Sequence, residues 1–212
     1  MNIFRFLADL SHMASIVILI LQIRKTKSAA GVSYKTQFLY ALVFVTRYID
    51  IFFHYVSLYN TFMKIFFVTS TIYILYLMRV QYKPSHDPNI DTFRIEYIIA
   101  PSAVLALIIN HGYTLYEILW SFSVWLESGA ILPQLFMLQR TGEAETLTVH
   151  YIFALGIYRL LYIPNWIYRY VTEGRVEPIA FLASLIQTAL YSDFFYIYYT
   201  KVMQGKKFEL PQ

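Results

Sequence analysis

The sequence predicts an all-α integral membrane protein with seven transmembrane helices, arranged as two parallel three-helix bundles joined by a linker helix. Three observations carry that expectation. The 212 residues are 58% hydrophobic and only 14% charged, with a mean hydropathy of +0.49. A soluble domain is about one-quarter charged and could not hide this much apolar surface. The apolar residues gather into seven segments, most near the roughly 20 residues needed to cross a bilayer. The first three segments also recur as the last three at a fixed offset. The absence of cysteine excludes disulfides, zinc-thiolate sites and thiol chemistry.

The segments run roughly over 3–23, 36–58, 61–81, 94–111, 115–138, 148–171 and 178–201. No small-residue cleavage site precedes the basic run Arg24-Lys25-Thr26-Lys27, so the first segment reads as a retained helix. The fourth is short and carries Pro101. The connections are too short for a soluble domain. The whole chain, 1–212, therefore reads as one membrane domain ending in a tail over 202–212.

Charge sets the orientation. Of the 17 basic residues, one set of connections holds Arg24, Lys25, Lys27, Lys35, Arg79, Lys83, Arg94, Arg140, Lys201, Lys206 and Lys207, while the opposite set holds Lys64 and Arg175. The positive-inside rule puts the first set in the cytosol, leaving the N-terminus lumenal and the C-terminus cytosolic. Gln22 and Gln134 are 112 residues apart, as are Arg47 and Arg159, and Ser11 and Ser123; Arg5 aligns with Glu117. The pseudo-repeats span about 1–81 and 113–201, with the segment 94–111 linking them in the same orientation. Parallel repeats related by an axis along the membrane normal make the SWEET-like 3+1+3 layout.

The four remaining basic residues, Arg5, Arg47, Arg159 and Arg169, fall inside predicted spans. An arginine at the bilayer centre costs about 2.5–3.5 kcal/mol on insertion scales. Each therefore needs water, a ligand or a counter-charge, and Asp9, Asp50, Glu117, Glu127 and Asp193 are the acids within the spans. Pairs that merely glue helices together are the plain alternative, and Arg5 could snorkel to the interface. Arg159 and Arg169, ten residues apart, lie about 15 Å apart along a helix and can face one cavity, with Tyr158, Tyr162, Asn165 and Trp166 beside them. Arg47 with Tyr48 can grip a carboxylate. Together these residues point to an anionic ligand entering from the lumenal side. Glu117 and Trp120, at the mouth, suit a cationic group. His12 is either a packing hydrogen bonder or, with an unperturbed pKa of about 6.5, a proton switch. Phe194 to Tyr199 reads as packing and interface belt.

Several runs resemble the KDEL receptor family along the whole chain. They include Met1-Asn2-Ile3-Phe4-Arg5, Asp9-Leu10-Ser11-His12, Thr46-Arg47-Tyr48 with Asp50, Val56-Ser57-Leu58-Tyr59-Asn60-Thr61, Glu117-Ile118-Leu119-Trp120, Leu126-Glu127-Ser128, Tyr158-Arg159, Asn165-Trp166, Asp193-Phe194-Phe195-Tyr196 and Gly205-Lys206-Lys207. The resemblance implies a receptor of the Golgi, the ER and COPI vesicles. It would bind the C-terminal Lys/His-Asp-Glu-Leu signal of escaped ER proteins more tightly at acidic pH and return them. Arg47 with Tyr48 would then hold the terminal carboxylate, and Arg5 and Arg169 would meet the acidic side chains. Glu117 and Trp120 would take the residue four from the end. Arg159, Tyr162, Asn165 and Trp166 would line the cavity. His12 would sense protons with Glu127 and Tyr158, and Asp50 and Asp193 would join that coupling. Lys201, Lys206 and Lys207 would meet the COPI coat.

The chain departs from the family pattern in lacking cysteine and at Phe52-Phe53-His54 and Phe208-Glu209-Leu210. The alternative reading is a PQ-loop or SWEET-like small-solute transporter, supported by the repeat and by Pro133-Gln134. No nucleophile motif, metal-ligand spacing or phosphate loop stands in the sequence. Neither enzymatic activity, a cofactor, a metal nor a nucleic-acid partner is expected.

Overall fold

The computed structural model describes residues 2–85, 89–142, 146–174 and 177–204, and among them every regular element is helical. Helix α1, Ile3–Thr26, starts where the Asn2 side chain accepts the Arg5 backbone N–H. It ends at Lys27, which takes the left-handed conformation (φ 52°), with Arg24 and Lys25 favourably placed against the helix dipole. Helix α2, Tyr34–Arg47, is capped by Ser33. Asp91, buried in the 82–95 connection, accepts from the Ser33 hydroxyl and the Lys35 N–H. Helix α3, Leu58–Tyr76, is capped by Ser57 and runs on as a π turn over Leu77–Gln81. Helix α4, Glu96–Ile108, contains Pro101.

Three expected spans take a different form. The second was expected to continue to residue 58, but the α-helix stops at Arg47 and gives way to a 3-10 turn, Ile49–Phe52. The run from Tyr48 to Tyr55 is almost all aromatic and β-branched, with weak helix propensity. Ser57 must also be extended (φ −168°, ψ 161°) to cap α3. The fifth span is two helices, α5, Leu115–Gly129, and α6, Leu132–Thr141. Pro133 has no N–H to offer the Gly129 carbonyl four residues back, so the ladder breaks there. Helix α7, Thr146–Glu173, holds Pro164 in its interior. The seventh span is also two helices, α8, Pro178–Leu190, and α9, Ser192–Lys201, bent by 43° where they meet.

By length and composition, and among the described residues, Ile3–Thr26 and Leu58–Gln81 each suffice alone to cross a membrane, and the bent pair α8–α9 passes the same test when taken as one broken span. The most extensive packing is between α1 and α7, followed by α4 on α5 and α2 on α5. The buried face of α1 repeats at helical spacing through Ala8, His12, Ser15, Leu19, Gln22 and Ile23. Two hydrogen bonds join helices far apart in sequence, α1 to α7 and α6 to α2. Gln22 Nε2 donates to Thr148 Oγ1 (2.7 Å), and the Gln134 N–H donates to Thr36 Oγ1 (2.9 Å). Both the glutamines and the threonines are 112 residues apart.

Helix α9 reaches α7 through Gly156. A Cβ there would lie 2.6 Å from Phe195 Cζ and 2.8 Å from Tyr191 Cδ1. Tyr198 adds a ring stack on Phe153 (4.0 Å) and a 2.9 Å hydrogen bond with His150 Nδ1. Gly156→Ala should therefore overpack the α7–α9 contact and cost about 1–3 kcal/mol. A lower melting temperature of the detergent-purified protein would register this, and an unchanged one would show that α9 moves aside freely.

Candidate functional site

A cavity of about 240 Å³ opens among the N-terminal halves of α1, α3 and α8, the C-terminal end of α2, the stretch of α5 from Trp120 to Glu127 and the C-terminal half of α7 from Tyr158. Its floor is a buried carboxylate. Glu127, fully buried on α5, receives Arg47 Nη1 from α2, Arg159 Nη2 from α7 and the Tyr158 hydroxyl. Arg47 Nε also donates to Ser123 Oγ (3.0 Å). The Arg159 guanidinium lies 4.8 Å from the Tyr158 ring centre and 5.7 Å from that of Tyr162. His12 is buried and stacks on Tyr158, with ring centres 4.0 Å apart and planes 13° apart; Phe67 and Phe44 close the box at 4.6 and 5.5 Å. It sits one stacked ring from the Glu127 cluster.

Above this floor, Asp9 accepts from Tyr59 OH (2.9 Å) and Tyr162 OH (3.0 Å), while Arg5 Nε stands 3.9 Å away. Asn165 Oδ1 accepts from Asn2 Nδ2 (2.8 Å), so the cap of α1 and the wall of α7 are fastened at the same level. Arg169 pairs with Glu173 (3.0 Å) and lies 5.5 Å from the Trp166 ring centre. Five cationic side chains line the cavity, Arg5, Arg47, Lys64, Arg159 and Arg169, against the carboxylates of Asp9 and Glu127. Several buried donors on the lining have no hydrogen-bond acceptor: Arg5 Nε, Arg47 Nη2, Arg159 Nε and Trp166 Nε1. A buried N–H left unpaired is costly and uncommon. This site therefore has the chemistry to receive an anion with several acceptor oxygens.

The cavity brings together Arg5, Arg47, Tyr48, Trp120, Arg159, Tyr162, Asn165, Trp166 and Arg169, together with His12, Glu127 and Tyr158. Glu117 is half-buried one turn outside its lining. Asp50 also lies outside the lining and binds Lys64 Nζ at 2.7 Å. Asp193 is exposed on α9, away from the cavity. Lys201 closes α9, whereas Lys206 and Lys207 lie outside the described residues. Sequence reasoning placed Lys64 in a lumenal connection; it is 6% exposed, on α3, in an ion pair and on the cavity wall. Tyr59 and Asn60 also line the cavity without having been singled out. Their spacing from Lys64 at one and a bit turns on α3 was the available signal. No group of three or more metal-ligating side chains occurs among the described residues.

Comparison with known proteins shows the family. The profile of the family described as ER lumen protein retaining receptor matches residues 28–169. The chain belongs to that family. It is 56% identical over 211 residues to the ER lumen protein-retaining receptor of Drosophila melanogaster, with both chains covered end to end. It is 54% identical, again end to end, to ER lumen protein-retaining receptor 2 of Gallus gallus and of Bos taurus. The ER lumen protein-retaining receptors are membrane proteins of the secretory pathway, named for retention and not for a chemical reaction. In this member, Glu127→Ala should leave Arg47 and Arg159 buried without their shared counter-charge and cost about 3–5 kcal/mol. Thermal unfolding in detergent checks this; a variant as stable as the parent would mean that water reaches and solvates both guanidiniums.

Proposed function

We propose that this chain is the receptor for the C-terminal Lys/His-Asp-Glu-Leu signal of escaped ER lumenal proteins, which it captures in the Golgi and returns to the ER in COPI vesicles. The observation that carries the reading is the set of unpaired donors on Arg5, Arg47, Arg159 and Trp166 inside a cavity whose wall carries more cations than carboxylates. The signal offers three negative charges, two from side chains and one from the terminal carboxylate. Arg47, with Tyr48, holds that carboxylate beside Glu127; Arg5 and Arg169 take the acidic side chains. Along α5, Trp120 lies seven residues from Glu127, about 10.5 Å of rise. Three extended residues span about 10–11 Å, which sets the first residue of the signal against Trp120 and near Glu117.

The reading includes seven spans in the SWEET-like 3+1+3 layout, with α5–α6 and α8–α9 each crossing as one broken helix. Its support is the swapped packing, α1 on α7 and α2 on α5, with two hydrogen bonds related by the 112-residue offset that join α1 to α7 and α2 to α6. The cavity opens at the end that carries the chain's N-terminus. The basic connections around Lys25, Lys83 and Arg140 gather at the other end, so the positive-inside rule makes the cavity lumenal. The tail, with Lys201, Lys206 and Lys207, then faces the cytosolic coat.

Tighter capture at acidic pH requires the complex to bind more protons than its separated parts. His12, stacked on the phenol that holds Glu127, is the group to take up that proton, with Asp50 and Asp193 coupled more remotely. Equilibrium binding of a labelled Lys-Asp-Glu-Leu peptide tests the assignment. Arg47→Ala should abolish binding, and amidating the peptide's terminus should weaken its binding to the parent protein by a comparable factor. Equal binding of the amidated peptide would refute the carboxylate site. His12→Ala should bind with nearly the same affinity at Golgi and ER pH, and a full pH response in that variant would remove His12 from the switch.

A further inference from the structure

A second, larger cavity of about 750 Å³ adjoins the first and is lined mainly by apolar side chains. Its walls are Ile49, Asp50, Phe53 and His54, from the turn that ends α2 and the residues just after it, and Leu115, Tyr116 and Leu119, from the first turns of α5. Three links join it to the charged cavity. Ile49 follows Tyr48, and Leu119 precedes Trp120, in each case with one residue lining each cavity. Asp50 lines the second cavity and Lys64 the first, and their ion pair, 2.7 Å long, is the partition. Because Lys64 already neutralises Asp50, the second cavity offers an apolar wall and little net field.

From this continuity, and resting on the receptor reading above, we propose that the second cavity is a subsite for the residue immediately upstream of the four-residue signal, and that it takes an apolar side chain. Depth along α5 supports the match. Leu119 lies eight residues from Glu127, about 12 Å of rise, and Leu115 one further turn out. With the terminal carboxylate at Arg47, the fifth residue from the end of an extended peptide sits about 13–14 Å away, between those two leucines. A leucine or phenylalanine there covers Phe53 and Leu115, which are 83% and 73% exposed. An aspartate there meets a mainly apolar wall that already carries the Asp50 carboxylate and is bordered by Glu117, with the His54 imidazole as its polar neighbour.

The test uses the full-length protein and three five-residue peptides that share Lys-Asp-Glu-Leu and begin with Leu, Ala or Asp. Partial burial of one leucine side chain should tighten binding about five- to tenfold over the Ala peptide, with the Asp peptide weakest. The double variant Phe53→Ser, Leu115→Ser changes only exposed side chains. It should bind the Ala peptide like the parent and lose the preference for Leu. Equal affinity of the parent for the Leu and Ala peptides would overturn the subsite while leaving the receptor reading intact; so would an undiminished preference in the double variant, or a cavity filled by lipid that ignores the peptide's first residue. Failure of all three peptides to bind the parent would instead overturn the receptor reading, and the subsite with it.

Discussion

One buried carboxylate organises this molecule. Glu127 is fully enclosed on α5 and is met by Arg47 from α2 and Arg159 from α7. A lone ion at that depth would be expelled or neutralised. Two guanidiniums without Glu127 would repel each other across a low-dielectric gap. Each of the three groups makes the other two tolerable, and the cluster still carries a net positive charge. That surplus faces the cavity, so the arrangement that holds three helices together also leaves the site short of an anion. Stability and ligand preference therefore share one electrostatic origin here, and a change made for one will register in the other.

The sequence made much of this legible. Four arginines in a chain with so few charges stood out as soon as the spans were drawn, and all four line the cavity. The 112-residue spacing picked out Arg47 and Arg159 before any geometry showed that they share a carboxylate. Helix breaks were legible only where the cause was local. Pro133 marks the division of α5 from α6, but nothing near Tyr191 marks the bend between α8 and α9. Gly156, on another helix, leaves the room that Tyr191 and Phe195 fill at that bend. Lys64 was misplaced for a similar reason. A lysine three residues into a span reads as an interfacial charge until Asp50, delivered by an early end to α2, turns out to be its partner. Contacts that depend on where another segment stops are invisible to periodicity.

The pocket is also shaped by what encloses its charges. The rings of Tyr158, Phe44 and Phe67 pack against His12. Tyr158 has one face on His12 and its hydroxyl on Glu127. A proton gained by the imidazole would thus be felt across a single ring, in a setting where water cannot screen it. Asp9, by contrast, is held by two phenols and stands off from Arg5. That loose pairing leaves Arg5 able to change partners without unpicking the floor.

The pairing of α1 with α7 has a consequence for how the protein is made. Helix α1 leaves the ribosome first, yet the surface that covers His12, Ser15 and Gln22 is more than a hundred residues downstream. During synthesis these polar side chains must wait in the bilayer, or against the insertion machinery, until α7 arrives. Long-range pairing of this kind is slow and leaves sticky intermediates. Helix α2 faces the same delay, since its partner α5 is also in the second half. Because the cavity lining runs from Arg5 on α1 to Ala180 on α8, the site is complete only after α8 has been made.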